Sequence, residues 1–224
     1  MINILNMDFR IDDEWCCDIY SKYINKNHKV LVLPLSYRDT EISNKDEWDL
    51  YYKNGIGKYY KGITDCFMSF GIKEESIIFI NYFKDSSSQI ISHLNQVDII
   101  YLPGGLPTGL FDKIISLDIL QAIKGFNGVV IGCSAGAMIQ LDQYHISPDK
   151  DYQMYSIEKG LGLLSGFGIE AHYDNTDIQN ESINKYMNET GKDVYGIGDK
   201  GILISSNNHI KLYGDVKLIE YKKV

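Results

Sequence analysis

Positive charge is scarce in this chain. Among 224 residues there are 22 lysines and arginines against 30 aspartates and glutamates, for a net charge of −8. Only two arginines occur, Arg10 and Arg38, and the lysines are scattered. No basic face is therefore available to neutralise phosphates, which argues against a nucleic-acid or anionic-membrane partner. Cysteine is equally sparse, with four residues at 16, 17, 66 and 133. That spacing makes neither a CxxC pair nor a disulfide framework, so reduced thiols in a cytoplasmic protein are expected. Long apolar runs are absent too. The longest uncharged stretch, 125–141, is broken by Asn127, several glycines and Ser134, which excludes a membrane span. The opening residues carry Asp8, Arg10, Asp12, Asp13 and Glu14 and do not read as a secretory signal. No repeat, low-complexity segment or linker appears, and the length suits one domain over 1–224.

What the chain does have is a rhythm of short apolar runs and amphipathic stretches. Runs at 2–5, 29–35, 76–80, 97–102 and 128–132 read as strands. Candidate helices lie between them at 13–25, 45–71, 85–95 and 107–124, the last broken near Ser116-Leu117-Asp118. Asp85 is the expected N-cap of the third. Near-continuous β-branched strands without polar alternation indicate a sheet covered on both faces, hence parallel. The expected fold is α/β, a doubly wound, mostly parallel sheet flanked by helices. Beyond Leu141, residues 142–158 read as a polar loop or partly extended excursion, and 161–173 return to apolar character. Residues 176–189 read as a helix bounded by Gly191. Runs at 194–197, 202–204, 209–212 and 216–221, with turn signals at Asn207-Asn208 and Gly214-Asp215, predict a small antiparallel hairpin region at the C-terminus.

The most informative stretch is Gly132-Cys133-Ser134-Ala135-Gly136, between an apolar run and a helix-like segment. Strand, sharp glycine turn and helix are the context in which G-x-S-x-G presents an exposed nucleophilic serine. Cys133 occupies the position before the serine and should point away from the apex. A serine hydroxyl needs a base, and the base needs an orienting group. Of the five histidines, His28 precedes a strand, His93 lies within a helix, His145 falls in the polar loop and His209 flanks a hairpin turn. His172 ends the apolar run Phe167-Gly168-Ile169-Glu170-Ala171 and is expected on the same carboxyl edge as the elbow. The acid is open among Asp142, Asp149, Asp151, Glu158, Asp174 and Asp199. An oxyanion hole would draw one N–H from Ala135 and another from Gly105, in Leu102-Pro103-Gly104-Gly105.

These residues resemble peptidase family S51, which includes dipeptidase E and cyanophycinase, on a class I glutamine-amidotransferase-like fold. Gly132 to Ala137, G-C-S-A-G-A, is similar to the family's nucleophile motif. Gly104-Gly105 resembles its oxyanion segment, with Leu106-Pro107 departing from the polar residue that often follows. The run ending in His172 resembles the strand that delivers its histidine, and the element order is similar as far as Asp215. Gly196 to Gly201 resembles a later turn whose acid, Asp199, is expected to stand outside the triad. The resemblance implies an acid between serine and histidine, near Asp149 or Asp151. Asp149 is preferred because a turn at Pro148 would hold it.

The implied function is serine-dependent hydrolysis of a small peptide or acyl amide, with an aspartyl residue as one option. Ser134 would attack, His172 would shuttle the proton and Asp149 would hold the imidazolium, with no metal or organic cofactor. Arg38, after the second strand, would offer a cation to an acidic substrate. A small peptide is the expected partner, and a homo-oligomer is allowed. Two rivals stand beside this reading. An α/β-hydrolase-type esterase would use His209 with Asp193 or Asp199, and a non-catalytic binding module would keep only the fold. A thiol-dependent amidotransferase is disfavoured by serine at the apex.

Overall fold

The computed structural model describes residues 1–207 and 209–223. In chain order the elements are β1 (Ile2–Asn6), α1 (Cys17–Tyr20), β2 (Val30–Val32), α2 (Lys45–Tyr52), α3 (Tyr60–Met68), β3 (Ile77–Phe79) and α4 (Ser87–Leu94). There follow β4 (Ile99–Leu102), α5 (Pro107–Ser116), α6 (Leu120–Lys124), β5 (Val129–Cys133) and α7 (Ala135–Met138). The rest comprises β6 (Gln143–Ile146), β7 (Ser156–Lys159), β8 (Phe167–Ala171), α8 (Asp177–Thr190), β9 (Asp193–Ser206) and β10 (His209–Ile219). The main sheet runs in the order β10-β9-β1-β5-β4-β2-β3, with β8 also paired to β9. Contacts among β1, β5, β4, β2 and β3 are all parallel. This is the expected mixed α/β sheet.

Successive strand residues point to opposite faces, and both faces are buried here. Val30 and Val32 of β2 join Tyr20, Ile63 and Phe67 in one core cluster. Leu31, between them, joins Ile90, Leu110, Ile114 and Ile123 in another. A strand covered on both sides has no polar position to alternate, which is why these runs are continuously apolar. Among the described residues, no helix is long and apolar enough to cross a membrane.

Several expected boundaries move, for local reasons. The helix expected at 13–25 contracts to α1, four residues long, behind a series of turns. There the Cys16 thiol lies against the carbonyls of Arg10, Ile11 and Asp13. The helix expected at 45–71 divides into α2 and α3 around Gly55, whose φ of +81° suits glycine and interrupts the helix. The cap of α4 is Ser86, in a capping box with Gln89, and the Asp85 carboxylate instead accepts from the Asn81 N–H. The break near residue 118 is present, with Asp118 at φ 53° between α5 and α6.

The C-terminal part differs more. Residues 142–158, expected as an excursion, contain β6 and the start of β7, which pair antiparallel. The tail forms one long hairpin ribbon, β9 with β10, instead of several short ones. Gly214-Asp215 is not a turn: it lies at a register shift, where Gly214 faces Gly201 and Val216 faces Ile197. Of the expected Asn207-Asn208 turn, Asn208 lies outside the described residues. β9 also runs antiparallel to β1, so the ribbon extends the main sheet.

Candidate active site

Ser134 stands at the carboxyl end of β5, with φ 49° and ψ −109°. That region is sterically unfavourable for a residue with a Cβ, and such strain collects at functional sites. The packing that holds it is built from glycine. A Cβ on Gly132 would collide with the carbonyl of Gly136, and one on Gly136 with the carbonyl of Leu102 at the end of β4. The Ser134 N–H donates to the Asn6 carbonyl at 2.8 Å, and the Ser134 carbonyl accepts from the N–H groups of Ala137 and Met138. Strand and helix are thereby closed tightly around one exposed hydroxyl. Cys133 is buried, with its thiol 3.3 Å from the Met7 carbonyl, and burial pushes that thiol up to about 12. It does not share the apex.

His172 follows β8. Its Nε2 lies 2.9 Å from Ser134 Oγ, and its Nδ1 lies 2.7 Å from Asp199 Oδ1. With the carboxylate accepting from Nδ1–H, the unprotonated Nε2 accepts from the serine hydroxyl. The route by which His172 arrives differs from the expected one. β8 is parallel to β9, and β9 is antiparallel to β1, so β8 runs against β5. Only residues 202–206 of β9 pair with β1; the earlier part projects past β1's carboxyl end and carries β8 with it. His172 therefore meets the elbow from the opposite direction. Its φ is 51°, and its carbonyl accepts from Gln179 Nε2 at 2.9 Å, a tie to α8 not anticipated from the sequence.

The carboxylate at His172 is a correction. Asp149 was expected there, but its Oδ1 accepts from the N–H groups of Asp151 and Tyr152, and among the described residues no bond joins it to His172. Asp199 occupies the position because of the register shift. Between the pairs Gly214–Gly201 and Val216–Ile197, β9 has Gly198, Asp199 and Lys200 where β10 has only Asp215. Extra residues in one strand bend it and re-aim a side chain. Gly198 and Gly201 leave room for Asp215, which would clash with a Cβ on either. Since Ala171 pairs with Ile197, the residues just beyond this pair, His172 and Asp199, come together.

The other expected participants are placed as follows. Gly105 has a φ of +140°, and a Cβ there would strike the Ser36 carbonyl, so glycine is required. Among the described residues, the Gly105 and Ala135 N–H groups have no backbone or side-chain acceptor, and Gly105 and Ser134 line the same cavity. The Arg38 guanidinium is engaged by Asp151 and by Glu41 at 3.3 Å, and the Asp151 hydrogen bond raises its pKa further. His145 is not in a loop. It is buried in β6, 2.6 Å from a Glu170 carboxylate oxygen that also accepts from Ser147. His209 is exposed at the start of β10. Among the described residues, no group of three His, Cys, Asp or Glu side chains is disposed to hold a metal ion.

Comparison with known proteins gives two concordant findings. The model of a family described as Peptidase family S51 matches residues 54–213. Among solved structures, a putative peptidase E protein from Listeria monocytogenes EGD-e is similar at 17% identity and a TM-score of 0.66, over 95% of this chain and 97% of that one. A peptidase from an acI-B1 Actinobacterium is similar at 15% identity and a TM-score of 0.65, over 99% of this chain and 95% of that one. No curated protein matches.

Proposed function

Because this chain belongs to peptidase family S51, we propose that it hydrolyses a small peptide or acyl-amide bond with Ser134 as nucleophile, His172 as general base and acid, and Asp199 as the orienting carboxylate. The observation that carries this reading is the unbroken line of hydrogen bonds from Ser134 Oγ through the His172 ring to Asp199 Oδ1. His172 Nε2 takes the hydroxyl proton as Oγ attacks the scissile carbonyl, then returns it to the leaving amine. Asp199 fixes the tautomer and stabilises the imidazolium. The Gly105 and Ala135 N–H groups stabilise the oxyanion of the tetrahedral intermediate. Water repeats the cycle on the acyl-enzyme, and no cofactor takes part in this scheme.

An aspartyl preference finds little support around Arg38, whose charge is already met by Asp151 and Glu41. The esterase alternative needs His209, which the hydrogen bonding at Ser134 does not favour. A fluorophosphonate probe tests the whole reading. Wild-type protein and His209→Ala are expected to label, Ser134→Ala is expected not to label, and His172→Ala to label far more slowly. Absence of labelling in the wild type would favour a binding module, and dependence on His209 alone would favour the esterase arrangement.

A further inference from the structure

Two hollows share Gly105 in their lining. One, of about 400 Å³, contains Ser134 and His172. The other, of about 420 Å³, lies against Gly104, Gly105 and Cys133 and extends towards α2 and α3. Both fall within the size range of small-molecule sites. We propose that the second hollow is the acyl-side pocket of the peptidase and takes a large aromatic side chain, the one on the residue that supplies the scissile carbonyl. This inference rests on the peptidase reading above.

The assignment of sides follows from the chemistry. The leaving amine must take its proton from His172 Nε2, so it departs into the hollow that contains His172. The acyl part then extends away from the imidazole, across Gly104 and Gly105. There is no room for a larger residue at Gly105, whose Cβ would strike Ser36, and a Cβ on Gly104 would lie 3.5 Å from Ser134 Cβ.

The lining dictates the kind of group. Tyr37, Tyr52, Tyr101 and Ile63 are buried residues along the hollow. At its rim Phe9 is 47% exposed and Tyr59 43% exposed, and covering such aromatic surface on binding is favourable. Tyr59 packs on Tyr51 and Tyr52 at centroid separations of 5.7 and 5.8 Å, which gives the rim a defined shape. The Lys58 ammonium lies 4.9 Å from the Tyr59 ring centroid and forms no ion pair among the described residues. It can turn to the face of a further ring by the same cation–π attraction. The other cation, Arg38, already has two carboxylate partners. Aromatic walls and an engaged arginine suit a phenylalanyl or tyrosyl group better than an aspartyl one.

Hydrolysis of Phe-, Ala- and Asp-aminocoumarin amides, which share one leaving group, tests the assignment. The Phe substrate is expected to exceed both others by about 10- to 100-fold in kcat/KM. Gly62 lies in α3 on the hollow, and a Cβ there would meet only the Phe9 ring, at 3.6 Å. Gly62→Phe should fill the space and reduce the Phe-to-Ala ratio to within a few-fold of one. Tyr59→Ala, at an exposed position, should lower the same ratio without burdening the fold. A preference for Asp over Phe, or a ratio unchanged in both variants, would overturn the pocket. Fluorophosphonate labelling of Ser134 separates the two levels. A labelled enzyme without the aromatic preference defeats the pocket alone, whereas an unlabelled one defeats the peptidase reading and the pocket with it.

Discussion

The two halves of the candidate triad are held in opposite ways. Ser134 stands at the carboxyl end of β5, a wholly buried strand between β1 and β4, and its backbone is clamped by close contacts at Gly132 and Gly136. His172 and Asp199 lie on the projecting β8–β9 region, with side chains 51% and 77% exposed. Apolar burial therefore fixes Ser134, while strand register and an irregularity in β9 fix His172 and Asp199. The first kind of support resists distortion because interiors are close-packed. The second depends on a few backbone pairings and leaves its side chains open to water. A closely packed Ser134 is thus combined with a more open His172–Asp199 pair.

The largest effects should come from separating the halves. Ser134→Ala or His172→Ala is expected to lower kcat by about 10⁴-fold or more, with the double variant little worse, because the pair acts as a unit. Steady-state kinetics on a cleaved amide would show this; losses that multiplied would mean the residues act independently. A middle-sized effect should distinguish the two carboxylates. Asp199→Asn is expected to cost about 10- to 10³-fold in kcat, less than loss of a buried triad acid, since water reaches this one. Asp149→Asn should remain within about threefold of wild type. The reverse order would restore Asp149 to the role expected of it.

The smallest effect reports on burial beneath the elbow. Burial raises the Cys133 thiol from its ordinary 9.0 to about 12. Between those values the unfolded chain has released a proton that the folded chain retains. Stability is therefore full below about pH 9 and falls as pH rises towards 12. The contribution from Cys133 is at most about 1.4 kcal/mol per pH unit. Urea unfolding at pH 8, 9.5 and 10.5 should show Cys133→Ala reducing the slope by that contribution, with the remainder carried by other buried groups whose pKa is raised, Cys16 and Cys66 among them.

The same contrast explains what could be read from the sequence. Strands β1 to β5 were legible because burial on both faces leaves continuous apolar runs, and the elbow was legible because its close approaches demand glycine. The run before His172 singles it out in the sequence, although the strand points the other way: a run of side chains carries no direction. Family spacing disfavours Asp199 as the acid. Its signal, Gly198 and Gly201 around Asp199-Lys200, resembles an ordinary turn, and the pairing with β10 that creates the irregularity is set by residues some distance away. His145 looked like a loop residue because its polar neighbours concealed a partner, Glu170, on another strand.

The first strand has a consequence for how the molecule is made. β1 pairs with residues 129–133 on one side and 202–206 on the other. During synthesis those opening residues must wait, first for the serine-bearing segment and then for the acid-bearing one, before either edge is satisfied. Contacts so remote along the chain are slow to form. Ser134, His172 and Asp199 should therefore be brought together only after residues 202–206 have been made and have paired with β1.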